Sequence, residues 1–403
     1  VVDESCALLT PPLPLAIAEK IRFVRDNPER ARAMGAAGRR KAAAYTWDRT
    51  ADRLLGIIER THSSWRRRAP KRGSGPTAAP RGTLFGVQYY SWYGQGMGAS
   101  HWNDNPATGG VTDAPLAGHY ASALGTTAEY HLEMLEKAGV DFLVLNLHLA
   151  ESGPDQGELS AIHNMFEVAE SRGTAVRLAL QLCPYNQAAA SACALLTEIS
   201  EKYAGRESYL RLGGRPVLFL FWTGVLDGRK RWISSVREAG REFLRVACSL
   251  RPYPVEKEAD RTLGLFDGFC LFSPLEVTSR DRWREAWADA YGNSEAGAAG
   301  LRIVTVSPGY DDAHLTDPHR EHSAHRTVPR NDGATYAEMI DFALSLKKRP
   351  QMVLMSTFNE FHENTHIEPS VAHRDLYMRM TAEMIAGFRG RRRRKRAKRR
   401  TRG

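Results

Sequence analysis

The sequence contains no apolar run approaching the roughly 20 residues that a membrane-spanning helix needs, so no transmembrane segment is expected in it. None of its five cysteines, Cys6, Cys183, Cys193, Cys248 and Cys270, belongs to a Cys-x-x-Cys pair or a zinc-type spacing. They are scattered, odd in number and mostly set in apolar runs, the pattern of buried reduced thiols in a cytoplasmic protein. There is no His-x-His, and the His-Glu-x-x-His spacing of His362, Glu363 and His366 directly follows an apolar strand-like run and not a helical pattern, so a metal site ranks low. The expectation is chemistry with neither metal nor cofactor. No secretory signal is legible, and a start at Val1 rather than Met suggests a piece of a longer protein.

A general excess of basic charge is also missing, despite a net charge of +10. Eleven of the 56 Lys and Arg lie between Arg389 and Gly403, where there is no acid, and without them 45 basic residues face 46 acidic ones. A uniformly nucleic-acid-binding surface is therefore not indicated. The tail, Arg391 to Arg396 and Lys398 to Arg400, interleaves no aromatic residue, so base stacking is not expected either. Such a tail is suited to contact anionic surfaces, but a disordered, solvated terminus over 389–403 is the plainer reading.

What remains is ordinary for a globular protein, with 42% hydrophobic and 25% charged residues. Residues 1–62 are helical in pattern and rich in Ala and Arg, and 63–82 are rich in Pro, Gly, Ser and Arg, a linker signature. Residues 83–388 alternate short apolar runs with amphipathic helical patterns. The runs are Leu84–Tyr90, Asp141–His148, Ala175–Leu182, Pro216–Trp222, Leu244–Ser249, Asp267–Phe272, Leu301–Val306 and Gln351–Thr357. Among the helical patterns, Ile162, Met165, Phe166 and Ala169 stop at Gly173, and Tyr336, Met339, Ile340, Ala343 and Leu346 stop before Pro350. Others cover Leu195–Tyr203, Ile233–Phe243 and Trp283–Tyr291. Eight strands alternating with helices favour an α/β fold, a (β/α)₈ TIM barrel, over an open doubly wound sheet.

In such a barrel the active site lies at the C-terminal ends of the strands, and polar and aromatic residues collect there. Tyr89, Tyr90, Trp92 and Tyr93 end the first run, with His101 and Trp102 beyond; Asn146 and His148 end the second; Gln181, Tyr185 and Asn186 follow the third; Trp222 ends the fourth. Ser307, Tyr310, Asp311 and Asp312 follow the seventh, and Asn359, Glu360, His362 and Glu363 the eighth. Two carboxylates three residues apart share one side of a helical or turn-like segment. Cleavage of a glycosidic bond needs such a pair, one protonated and one ionised, and closeness drives their pKa values apart. His362 and Asn359 could orient them. The bland alternative is a solvated loop, and singly Trp92 or Trp222 is more often core than sugar platform. The density of rings with polar tips at one end favours a sugar-binding cleft, lined by Tyr90, Tyr93, His101, Trp102, His148, Trp222 and Tyr310.

At these residues the sequence resembles glycoside hydrolase family 99, the endo-α-1,2-mannosidase and mannanase family, over about residues 84–388. The anchors are Tyr89-Tyr-Ser-Trp-Tyr-Gly94, His101-Trp102, Gly118-His-Tyr-Ala-Ser122, Ala138-Gly-Val-Asp-Phe142, Ser307-Pro-Gly-Tyr-Asp311 and Phe358-Asn-Glu-Phe-His-Glu363, with Thr365 and Ile367-Glu-Pro369. The resemblance implies a retaining, endo-acting enzyme. In it Glu360 is the base on the sugar's own 2-hydroxyl, a 1,2-anhydro sugar forms, and Glu363 is the general acid. Tyr90 and His101 match the family's sugar-binding tyrosine and histidine. Phe361 stands where the family has Trp, Asn364-Thr-His366 where it has Gly-Thr-Gln, and Asn146-Leu-His148 where it has a tryptophan-rich strand end.

Residues 1–62 are similar to the end of a glycosyltransferase family 4 protein, through Leu8-Leu-Thr-Pro-Pro12, Ala16-Ile-Ala-Glu-Lys-Ile21, Asn27-Pro-Glu29, Met34-Gly35, Gly38-Arg39 and Tyr45-Thr-Trp-Asp48. That resemblance implies a remnant of a Rossmann-like domain without its nucleotide-sugar site. A helical cap on the barrel is the alternative. The expected partner of the whole is an oligosaccharide or polysaccharide. The functional expectation is hydrolysis of α-linked bonds, α-1,2-mannosidic ones included. A polysaccharide-assembly protein that transfers sugar, and a non-catalytic glycan-binding barrel, are the alternatives.

Overall fold

Strands buried on both faces carry unbroken apolar runs, and a parallel sheet covered by helices is what buries them so. The computed structural model describes residues 8, 14–43, 82–94, 101–102, 110–150, 153–184, 192–221, 237–238, 240, 242–249, 265–275, 300–315 and 327–400, with 391–400 by backbone alone. It turns the eight runs into eight strands: β1 (Leu84–Tyr90), β2 (Phe142–Ala150), β3 (Arg177–Pro184), β4 (Arg215–Phe221), β5 (Leu244–Ser249), β6 (Gly268–Leu271), β7 (Ile303–Val306) and β8 (Met352–Met355). Neighbours pair in parallel in the order β6-β5-β4-β3-β2-β1-β8-β7. A parallel bridge between Gly268 and Leu301 brings β6 beside the entrance to β7. The sheet is thus a nearly closed parallel barrel, the expected architecture.

Side chains of each strand alternate between two cores. Phe142, Val144, Val217, Phe219, Val246, Ile303, Met352 and Leu354 belong to a cluster drawn mainly from strands, which is the barrel lumen. Leu143, Leu145, Leu178, Leu180, Leu218 and Val353 belong to a second cluster shared with the helices. Gly86 is dictated by the lumen: a Cβ there would lie 2.1 Å from the Phe142 ring, which faces it in register. Fully burying a phenylalanine contributes roughly 1.5–3 kcal/mol, so the ring takes the room that glycine leaves. Cys183, Cys248 and Cys270 are free and buried, and all three belong to the lumen cluster.

The helices follow their strands. They are α3 (Gly125–Ala138), α4 (Gln156–Arg172), α5 (Ala192–Ile199, continued by a wide turn to Ala204), α6 (Ala334–Ser345) and α7 (Leu376–Arg400). Asp155 caps α4, its side chain accepting from Glu158 N at 2.9 Å, and left-handed Gly173 ends it. The expected apolar stripes are the buried faces of α4 and α6. A two-stranded pairing of Tyr310–Asp311 with Thr327–Val328 stands apart from the barrel sheet.

One boundary moves. The helix α7 continues to Arg400, where the sequence reading places a disordered tail from Arg389. Arg, Lys and Ala are good helix formers, and no Pro or β-branched run interrupts them. Arg389 itself belongs to the barrel: its guanidinium donates to the Asp141 carboxylate at 2.8 Å and the Gly139 carbonyl at 3.1 Å, and lies 5.7 Å over the Phe85 ring.

The chain divides into two compact units, Val1–Ser74 and Gly75–Gly403. The first contains α1 (Pro14–Asp26) and α2 (Pro28–Ala42). Pro28 opens α2, a position where its missing N–H leaves nothing unsatisfied. Trp222, Tyr185, Asn186, Cys6, almost all of the linker and the helix expected at Trp283–Tyr291 lie outside the described residues.

Candidate active site

Beyond β8 the chain runs through residues 356–370 across the end of the barrel and is stitched to β1. Phe358 N donates to the Gln88 carbonyl at 2.7 Å. The Asn359 amide is paired with the backbone of Tyr90 in both directions, Tyr90 N to Oδ1 at 2.8 Å and Nδ2 to the Tyr90 carbonyl at 2.9 Å. The Tyr93 hydroxyl donates to the Asn359 carbonyl at 2.7 Å and accepts from Phe361 N at 3.2 Å. The loop closes on itself, Thr365 N donating to the Glu360 carbonyl at 3.1 Å.

This stitching holds Glu360 at 1% exposure. Its Oε1 accepts from His362 N at 2.9 Å and lies 3.2 Å from His362 Nδ1. Its Oε2 has no hydrogen-bond partner among the described residues. Buried carboxylate oxygens are ordinarily satisfied, and an exception points to a ligand or water. Glu363, three residues on, is half-buried, and its carbonyl accepts from Asp311 N at 2.9 Å. Two glutamates in one turn therefore sit in different surroundings, the condition for dividing acid and base roles.

The rings around them form two stacks. Trp92 lies parallel to His101 at 4.8 Å and to His148 at 5.1 Å, with Tyr90 at 4.3 Å and the His362 edge at 5.9 Å. Tyr93 stacks on Trp102 at 3.9 Å, Trp102 on His119 at 4.5 Å, and Tyr93 lies parallel to His362 at 6.2 Å. The structure thus gathers Tyr90, Tyr93, His101, Trp102, His148, Asn359 and His362 about Glu360. It also sorts them. Trp92, His101 and His148 keep partial exposure, whereas Tyr93, Trp102 and Asn359 are buried and brace the loop. Burial first, and the Glu360 charge second, push the Tyr93 hydroxyl well above the ordinary tyrosine range, so it stays neutral. Tyr310 is not brought to the cluster. It is 1% exposed in the outer core, its hydroxyl donating to Asp312 at 3.0 Å.

Four residues of the site carry no role in the sequence reading. Glu158 accepts from His148 N at 2.6 Å and pairs with His148 Nδ1. Its only early signal is its place three residues after the cap Asp155. Tyr120, His131 and Glu368 form a buried group beside Asn359. Tyr120 and Glu368 stand inside motifs noted above, and nothing local marks His131.

Asp113, His366 and His373 each offer a ligand atom within 4.8 Å of the others. The arrangement does not suit a cation. His366 lies between Asp113, 3.2 Å from Nε2, and the Arg330 guanidinium, 3.3 Å from Nδ1. Burial, then the Arg330 charge, lowers its pKa to about 3. Arg330 also donates to the carbonyls of Asn364 and His366, so the group clamps the loop.

A parallel barrel with a buried and a half-buried glutamate at the C-terminal end of its last strand, ringed by stacked aromatics, defines a barrel glycosidase. The glycosyl hydrolase family 99 model matches residues 105–381, and the chain belongs to that family. A glycoprotein endo-alpha-1,2-mannosidase of Xenopus laevis is 22% identical over 332 residues, 73% of this chain and 71% of its own. A glycoprotein endo-alpha-1,2-mannosidase-like protein of Homo sapiens is 23% identical over 322 residues, 70% and 68%. The solved family 99 endo-alpha-mannosidase of Bacteroides thetaiotaomicron superposes with a TM-score of 0.59 at 22% identity, covering 77% of this chain and 98% of that one. That likeness concerns the fold.

Proposed function

We propose that the protein is an endo-acting, retaining glycosidase that cleaves α-linked bonds, α-1,2-mannosidic ones first among them, within a glycan or polysaccharide. The observation behind it is Glu360, buried at the barrel mouth with Oε1 held by His362 and Oε2 without a hydrogen-bond partner among the described residues. In the reaction, the 2-hydroxyl of the bound sugar gives its proton to Glu360 while O2 bonds to C1. The glycosidic C1–O bond breaks, and its oxygen takes a proton from Glu363. Water then opens the 1,2-anhydro sugar at C1, giving a proton to Glu363, and O2 recovers its proton from Glu360. Two inversions leave the configuration retained. Relatives named endo-alpha-1,2-mannosidases support the linkage. Phe361, His366 and His148 are the positions from which a different sugar preference would come.

The test compares wild type with Glu360→Gln and Glu363→Gln on α-1,2-linked mannose oligosaccharides, reading anomeric configuration by NMR. Retention is expected, with each variant slower by about 10²-fold or more. An aryl leaving group, which needs no proton, should rescue Glu363→Gln and not Glu360→Gln. Binding without cleavage by wild type would instead favour a glycan-binding or sugar-transferring barrel.

Residues 1–62 we read as the closing piece of a glycosyltransferase family 4-like domain, on the order of their motifs. Residues 1–74 should then bind no nucleotide sugar in calorimetry, and measurable binding would refute this reading.

A further inference from the structure

A third carboxylate lies behind the site. Glu368 is 2% exposed, and no lysine or arginine among the described residues pairs with it. Its Oε2 accepts from the Tyr120 hydroxyl at 2.8 Å, and its Oε1 lies 3.3 Å from His131 Nε2. His131, fully buried on α3, has Nδ1 3.0 Å from the Tyr89 hydroxyl. The Tyr120 oxygen in turn accepts from Asn359 Nδ2 at 3.1 Å. Asn359 is the residue before Glu360, and its amide is otherwise committed to the backbone of Tyr90.

We infer that Glu368 is a positioning residue for Glu360, acting through Tyr120 and Asn359. The inference rests on the reading of Glu360 as a reacting carboxylate. The reason is the polarity of the chain of hydrogen bonds. The Tyr120 hydroxyl has a single proton and gives it to Glu368, so the Tyr120 oxygen faces Asn359 as an acceptor. Burial, and next the Glu368 charge, hold the Tyr120 hydroxyl well above the ordinary tyrosine range, so it remains a donor. The Asn359 nitrogen is thereby turned to Tyr120 and to the Tyr90 carbonyl, and its oxygen to Tyr90 N. With the opposite polarity the amide would flip, and both bonds to Tyr90 would be lost together. Glu360 would then be released from β1.

The experiment uses Glu368→Gln, which keeps the shape but can donate, and Tyr120→Phe, which removes the linking oxygen. Melting temperature, kcat and KM on an α-1,2-linked mannotetraose, and the side-chain amide signals of ¹⁵N-asparagine-labelled protein are measured. The Asn359 signal is assigned by its loss in Asn359→Asp. Both variants should lower kcat by about 10- to 100-fold, leave KM within about threefold, and move the Asn359 signal. A lowered melting temperature with kcat and the Asn359 signal unchanged would make Glu368 a structural brace and overturn the inference. If wild type cleaves nothing, the reading of Glu360 fails, and the Asn359 signal alone decides the link: moved in Glu368→Gln, it stands; unmoved, it falls. Glu368→Gln carries the test if Tyr120→Phe does not fold.

Discussion

A histidine buried between a guanidinium and a carboxylate has its protonation decided by both. For His366 burial and Arg330 outweigh Asp113, and its pKa of about 3 lies far below an ordinary histidine near 6.5. The unfolded chain therefore takes up a proton that the folded one refuses, and stability falls as pH drops from about 6.5 toward 3. Burial works against the Asp113 charge, but bonds from His366, Ser370, Ala372 and Ala114 hold its pKa below the usual carboxylate range. It adds to the loss at the lower end, where its unfolded form becomes protonated. The melting temperature, followed by calorimetry, should fall between pH 7 and pH 4, and His366→Asn should flatten that fall while lowering the whole curve. An unchanged slope would place the acid sensitivity elsewhere. That Tyr90, Tyr93, His101, Trp102, His148, Asn359 and His362 gather about Glu360 was legible from their place after strand ends, and that Tyr310 turns into the outer core was not. Which of them stay open was not legible either. Tyr93 is buried by a bond to Asn359, 266 residues away, and no local pattern reports such a cover. The Glu158, His131 and Glu368 pairings were hidden for the same reason, since each joins separate elements.

The strands were the most legible elements. Runs apolar on both faces have one destination in a protein of this kind, and each observed strand starts and ends within two residues of its run. The two-residue pairings were not legible, because they are made by tertiary approach and not by a run. The extension of α7 was missed because a block of like charges reads as solvated, whereas its first member is tied down. Arg389→Ala should lower stability by about 1 kcal/mol or less, as expected for a half-exposed ion pair. The loss should shrink at high salt in denaturant titrations. The β1–β2 contact is less forgiving. Gly86→Ala forces a methyl group against the Phe142 ring and should cost about 1–3 kcal/mol. Adding Phe142→Leu should recover part of that loss in equilibrium unfolding, and no recovery would mean that the strain lies in the backbone.

Among the described residues, both apolar cores lie between residues 84 and 388, inside the unit that starts at Gly75. Residues 75–403 expressed without the preceding unit should therefore melt in one cooperative transition at a temperature close to that of the whole chain, read by circular dichroism. The loop that carries Glu360 is bound to β1, so the proposed reacting group hangs on the seam where the first and last strands of the barrel meet. On a ribosome those strands are made more than 250 residues apart, and contacts so distant form late. A partly synthesised or partly refolded chain thus has no active centre, however much of its sheet is in place. Return of activity would serve as a clock for the final closure of the barrel, lagging behind any signal from its secondary structure.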